Sequence, residues 1–249
     1  MFVNIRLYLF LFFLSFCFEG IAQNDAIVES QLLYMKRTQF GMNLNSTGLG
    51  GINFKMGWHK TGRINNMLDF DLSRIRHLKE TRIYSIVSDN PRQYTFGRLN
   101  MAFFLRVGYG QNIAITERPY KNAASLHFNY SVGLSTAILK PIYLDILKNE
   151  SGHALVVSER YDPVIHFNPY MIMGNASFMD GMNQLTFVPG GYGKCSLAVE
   201  WGQYPDEFKS LEAGFTVDAF SKPLELMAFT SADYLFFTMF IEYTFGFNK

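Results

Sequence analysis

The chain ends in YLFFTMFIEYTFGFNK, and the residues of this stretch separate by parity. Leu235, Phe237, Met239, Ile241, Tyr243, Phe245 and Phe247 form one set; Phe236, Thr238, Phe240, Glu242, Thr244 and Gly246 form the other. Side chains on a strand alternate faces with period two, so this is a long strand with one continuous apolar side and a carboxylate on the other.

The pattern recurs along the chain. KSLEAGFTVDAFS sets Leu211, Ala213, Phe215 and Val217 against Glu212, Thr216 and Asp218, and SLAVEWG sets Leu197, Val199 and Trp201 against Ser196 and Glu200. SLHFNYSVGLSTAI, RLNMAFFLRVGY, RINNMLDFDLSR, GINFKMGWHK and TQFGMNLN alternate in the same way, which makes eight strands. A soluble sandwich or lipocalin-like barrel also alternates, but its apolar face points into a core and its polar face meets water. Here charged residues sit on the second face of nearly every strand. The pattern therefore predicts an all-β fold: an eight-stranded antiparallel transmembrane β-barrel, apolar outside and polar within.

Composition agrees with a chain that meets lipid. Aromatic residues make up 16%, while charged residues reach 17%, against about 25% in soluble domains. A net charge of +1 gives no reason to expect a nucleic-acid partner. The start, MFVNIRLYLFLFFLSFCFEGIAQ, has Arg6, an apolar run from Leu7 to Phe18, and small Gly20 and Ala22. That is the layout of a Sec signal peptide spanning residues 1–22, cleaved after Ala22. Cys17 falls within it, so no intrachain disulfide is expected in the mature chain. Residues 23–37 are expected to be a periplasmic segment and 38–249 the barrel. Exported and edge-free, such a barrel suits the outer membrane of a Gram-negative envelope.

With the mature N-terminus in the periplasm, Trp58, Tyr109, Trp201 and Tyr243 fall toward the inner ends of returning strands, as an interfacial aromatic girdle requires. Residues 140–193 form the longest connection, too long for plain coil. Its Met-rich FNPYMIMGNASFMDGMNQLTFVPGGYG predicts a short helix around Ser177 to Leu185. Two roles stay open for it: a lid over the mouth, or a docking surface for another envelope protein.

The inward positions collect Lys55, Arg63, Arg98, Arg106 and Lys194 against Asp69, Asp71, Glu200, Glu212, Asp218 and Glu242, with His59 and His127 between them. Eight strands leave a bore only wide enough for side chains. Near balance of charge there predicts an ion-pair network, with Glu242 reaching Arg98 or Arg106, rather than a narrow channel.

Chemistry is weakly signalled. His127 and Ser131 share a face, but four residues along a strand is about 13 Å, too far for base and nucleophile. Calcium ligation by Asp180 and Asn183 is an unspecific possibility, and GGYGK lacks the Ser or Thr of a phosphate loop. No catalytic, cofactor or metal set is assigned.

The signal ending GIAQ, the alternating strands and the finish IEYTFGF resemble the small outer-membrane β-barrel families, of the eight-stranded OmpA/OmpX or PorT-like kind. The resemblance spans residues 38–247. It implies that Tyr243, Phe245 and Phe247 form the terminal β-signal read by the barrel-insertion machinery, and that the partners are outer-membrane lipid and that machinery. For role it implies a non-enzymatic structural element or accessory subunit of an envelope assembly or secretion complex. A lipid-modifying enzyme and a passive channel are the alternatives.

Overall fold

The structure, a computed structural model, describes residues 36–48, 50–61, 63–77, 79–85, 92–116, 124–150, 153–166, 168–202 and 207–248. The segment expected to hold the signal peptide lies outside the described residues, as does the side chain of His59.

In chain order the strands are β1 (Lys36–Asn45), β2 (Gly50–Thr61), β3 (Ile64–Ile75), β4 (Arg82–Tyr84), β5 (Gln93–Thr95), β6 (Asn100–Ala114) and β7 (Ser125–Pro141). They continue with β8 (Tyr143–Glu150), β9 (His153–Arg160), β10 (Ile172–Asn175), β11 (Thr186–Trp201), β12 (Glu207–Leu224) and β13 (Asp233–Asn248). Eight of them close into an antiparallel barrel in the order β1-β13-β12-β11-β7-β6-β3-β2. First and last strands complete the wall, from Arg37↔Asn248 to Asn45↔Phe240. Every sheet neighbour in the barrel is thereby hydrogen-bonded on both sides, and the edge-strand liability disappears.

Parity decides which side chains face in. Along β12, Phe208, Ser210, Glu212, Thr216, Asp218 and Phe220 are buried, while Leu211, Phe215 and Val217 are exposed. The same inversion holds on β1, where Asn43 is buried and Met42 and Leu44 are 74% and 69% exposed. Large apolar residues cover the outside and polar ones fill the inside, the reverse of a protein dissolved in water.

We call the end where β1 starts and β13 finishes the terminal end, and the opposite one the loop end. At the loop end lies a second small core. β8, β9 and β10 form a three-stranded sheet in the order β10-β8-β9, and β4 pairs with β5. Tyr94, Ile142, Leu144, Ile146, Tyr161 and Ile172 pack together between these elements, with Phe96 and Met101 against them.

Three boundaries differ from expectation. β1 starts at Lys36 rather than Thr38. β7 runs on to Pro141 and β11 begins at Thr186, so the long connection is shorter than 140–193 and VPGGYG belongs to the barrel wall. The helix expected around Ser177 to Leu185 is replaced by turns and a single 3₁₀ turn at Met182–Gln184. Gly181 takes a left-handed conformation at φ 81°, which ends any regular helix at that point.

Candidate functional site

The bore is filled in layers. Nearest the terminal end, the Arg37 guanidinium pairs with Glu200 and lies over the Phe208 ring, 3.7 Å from its centroid. Phe208 in turn covers Gly246, where an added Cβ would come within 1.9 Å of the ring. Only a glycine admits that approach. His127 joins this layer: its Nε2 lies 2.9 Å from Ser125 Oγ and 3.3 Å from Glu200, and its Nδ1 lies 3.0 Å from Asn112 Oδ1.

The middle layer is ionic. Lys55 Nζ donates to Glu212 at 2.6 Å and to Glu242 at 2.9 Å. Lys194 Nζ donates to the other Glu242 oxygen at 3.1 Å and sits 3.8 Å from Asp69. One step toward the loop end, Arg106 grips Asp218 with a two-pronged fork, Nε to Oδ1 at 2.8 Å and Nη2 to Oδ2 at 2.9 Å. Its third nitrogen, Nη1, bonds Asp71. Arg suits this place because its planar fork matches carboxylates and holds several at once.

Among the described residues, this middle zone holds three cations, Lys55, Arg106 and Lys194, and five carboxylates, Asp69, Asp71, Glu212, Asp218 and Glu242. Neutral donors make up the difference. Asn53 donates to Asp69 at 2.6 Å, Asn43 to Asp71 at 2.8 Å, and Asn129 to Glu212 at 3.0 Å. Ser131 and Thr244 add hydroxyls to Asp69 and Glu242. A buried charge left without such partners would cost several kcal/mol.

Above the ions lies an apolar layer. Phe104 meets Phe220 in a tilted contact, 4.7 Å between ring centroids, and Phe236 edge-on at 5.3 Å. Ile75, Ala137, Leu139, Val188 and Leu224 complete it.

Several expected placements change. Glu242 reaches neither Arg98 nor Arg106 but two lysines, because Arg106 is already spent on Asp71 and Asp218. Arg63 has the inward parity but sits exposed in the turn before β3 begins at Ile64. Arg98 likewise precedes β6, bridges to Met227 at the loop end, and pairs with Glu80 at 3.1 Å. Removing these two from the interior is what leaves carboxylates in excess.

Ser131 bonds Asp69, and the hydroxyl that His127 touches is Ser125. Asp180, the calcium candidate, lies in a turn and donates its backbone N–H to the Ser177 carbonyl at 3.1 Å. Arg37 lies within the expected periplasmic segment and so outside the expected network; its odd-numbered parity with Gln39 and Asn43, both buried, is the signal that places it in the bore.

On the outer wall, Trp58 and Tyr109 stand 6.2 Å apart between ring centroids, and Trp201 and Tyr243 6.3 Å apart. Trp58 is level with Lys36 and Trp201 with Lys209, both near the terminal end. Tyr243, Phe245 and Phe247 all lie on β13, with Tyr243 and Phe245 in T-shaped contact.

No family model matches the chain, and no curated relative does. Solved structures share its general form. Neisserial surface protein A matches with a TM-score of 0.40 and 7% identity, over 87% of this chain and 97% of that one. Ail, the attachment invasion locus protein of Yersinia pestis, matches at 0.39 and 9%, over 87% and 99%. The N-terminal β-barrel domain of Pseudomonas aeruginosa OprF matches at 0.37 and 6%, over 86% and 97%. The fold of this chain as an eight-stranded antiparallel barrel rests on its own topology.

Proposed function

We propose that this chain is a non-enzymatic integral protein of a Gram-negative outer membrane. Its barrel anchors a folded extracellular surface, as a structural element or accessory subunit of an envelope assembly or secretion complex. The observation that carries this reading is the pairing of a packed bore with an apolar outer wall. Lys55, Asp69, Asp218 and Glu242 are 0–1% exposed, whereas Val132 and Leu134 on the wall are 66% and 75% exposed. Such a wall is stable against hydrocarbon and a liability in water. Among the described residues no helix is long and apolar enough to cross a membrane.

The lengths of the connections support an orientation with the terminal end in the periplasm and the loop end outside: β2–β3, β6–β7 and β11–β12 are joined by short segments at the terminal end, and the longest connection, from β7 to β11, lies at the loop end. Tyr243, Phe245 and Phe247 then serve as the terminal signal for barrel insertion. The loop end carries its own core and exposes Val164, Ile165, Phe178 and Met179, a surface suited to another envelope protein.

A channel is disfavoured by two successive packed layers. Acyl chemistry through His127 and Ser131 is disfavoured by Ser131's bond to Asp69. Extraction from native membranes in mild detergent tests the role: stoichiometric envelope partners are expected, and a clean monomer would contradict the subunit reading. An altered lipid profile in a His127→Ala strain would revive the enzymatic alternative.

A further inference from the structure

At the loop end, a cavity of about 340 Å³ opens between the barrel rim and the small sheet. Four cations line it: Arg74 from β3, Arg82 from β4, Arg98 ahead of β6, and Lys140 near the end of β7. Asn175 and Ser177 supply neutral polar groups on another side. Cations contributed by four separate segments enclose a space rather than decorate one face.

Among the described residues, the carboxylates that act on these four cations are Glu80 and Asp180. Glu80 is the carboxylate paired with Arg98, and it is shared with Arg76 at 4.0 Å. The Arg98 side chain is 9% exposed, and its Nη2 is buried without a hydrogen-bond partner among the described residues. Arg74 Nε is likewise buried and unpartnered. Lys140 is 4% exposed, and its ammonium lies over the Phe178 ring at 5.1 Å. Buried N–H groups on charged side chains are costly to leave unsatisfied. Burial pushes the Arg98 guanidinium down to about 10 despite Glu80, with Arg74, Arg76 and Arg82 adding to the depression. An anion entering the cavity would relieve each of these penalties together.

We infer that this cavity is a binding site for a phosphate-bearing ligand, seated between Arg98, Arg74 and Lys140. A tetrahedral oxyanion offers acceptors in several directions and accepts the guanidinium fork, whereas a planar carboxylate satisfies cations on two sides at most. The volume falls at the small end of ligand pockets, about 300–1,000 Å³, so it suits a phosphate with one sugar-sized substituent. Two sources share this chemistry: the phosphorylated headgroup of an outer-leaflet lipid, and a soluble phosphate ester. The site goes beyond the anchoring role, and its test in detergent needs no protein partner.

The test is calorimetric titration of the detergent-purified full chain with inorganic phosphate at low ionic strength, with chloride as the control anion. Saturable phosphate binding is expected, weakened roughly tenfold or more in Arg98→Gln and in Lys140→Gln, since each removes a charge-assisted contact. Arg160→Gln, outside the cavity, should bind as the wild type does, and all three variants should keep the heat-modifiable gel shift of a folded barrel. A second arm compares nanodiscs of phosphatidylcholine with discs containing diphosphoryl lipid A. Loss of phosphate binding in the lipid A discs assigns the site to the lipid headgroup, and its persistence assigns it to a soluble ester; either upholds the phosphate site. Absent saturable binding by the wild type, or equal binding by folded Arg98→Gln, would overturn it.

Discussion

Lys55 Nζ donates to Glu242 Oε1 at 2.9 Å, although the two residues lie 187 positions apart in the chain. That bond reaches over β1, above Gly41, from β2 to β13, and its geometry exists only when the first and last strands pair to close the barrel. It ties the interior chemistry to the wall, and the consequences can be measured.

Glu242→Gln should destabilise the folded barrel by about 3–5 kcal/mol, because Lys55 and Lys194 lose the charge they share while staying buried. Urea unfolding in lipid vesicles reads this directly. Combining Glu242→Gln with Lys194→Met should recover part of the loss, and strict additivity of the two changes would show that they do not interact.

On the outer wall the cost has a different origin. Val132→Arg places a cation in hydrocarbon and should cost about 2–4 kcal/mol if the position is near the midplane. Val132→Leu keeps the surface apolar and should stay within about 1 kcal/mol. Equal effects from the two changes in the same unfolding assay would contradict lipid contact at this position.

The seal has two layers, so removing one should not open it. Planar-bilayer recordings of the wild type should show no discrete openings, and neither should Phe104→Ala, since the Arg106–Asp218 fork persists beneath the aromatic layer. Reproducible single-channel steps from Phe104→Ala would mean that the ionic layer alone does not block ion flow.

Gly246→Ala should clash with the Phe208 ring and cost about 1–3 kcal/mol by overpacking. Phe208→Ala in the same background should relieve the clash, although it also removes the surface under Arg37. A Gly246→Ala protein as stable as wild type would place the ring elsewhere.

Much of the wall was legible in the sequence because period-two alternation is a local signal that survives in every barrel strand. Leu211, Ala213 and Val217 declare one face regardless of what lies across the bore. Partner choice was not legible, because Glu242 meets Lys55 and Lys194 through the stagger of strands, which no local pattern encodes. Nor were the strand ends: Arg63 and Arg98 keep inward parity one or two residues beyond the ladder, where Arg63 is exposed and Arg98 is buried beside Glu80 at the loop end, away from the ionic layer. VPGGYG reads as a turn by its glycines, yet Gly190 and Gly191 pair in the wall with Ser135 and Leu134. A glycine inside a barrel marks close approach as well as turning; at Gly108 a Cβ would come within 2.4 Å of the Tyr192 hydroxyl. The loop-end sheet leaves only a short trace in the alternation of Leu144 and Ile146, set in a connection whose composition is otherwise apolar and Met-rich.

The most direct test of the membrane reading is nuclear Overhauser transfer from lipid acyl-chain methylenes to side chains of the full protein in nanodiscs. Along β12 and β13, Leu211, Val217 and Ile241 should receive it, and their buried neighbours Thr216, Thr238 and Thr244 should not. Transfer blind to parity, or a chain that stays folded in the aqueous fraction and takes up no lipid, would contradict a barrel with hydrocarbon outside and charge within.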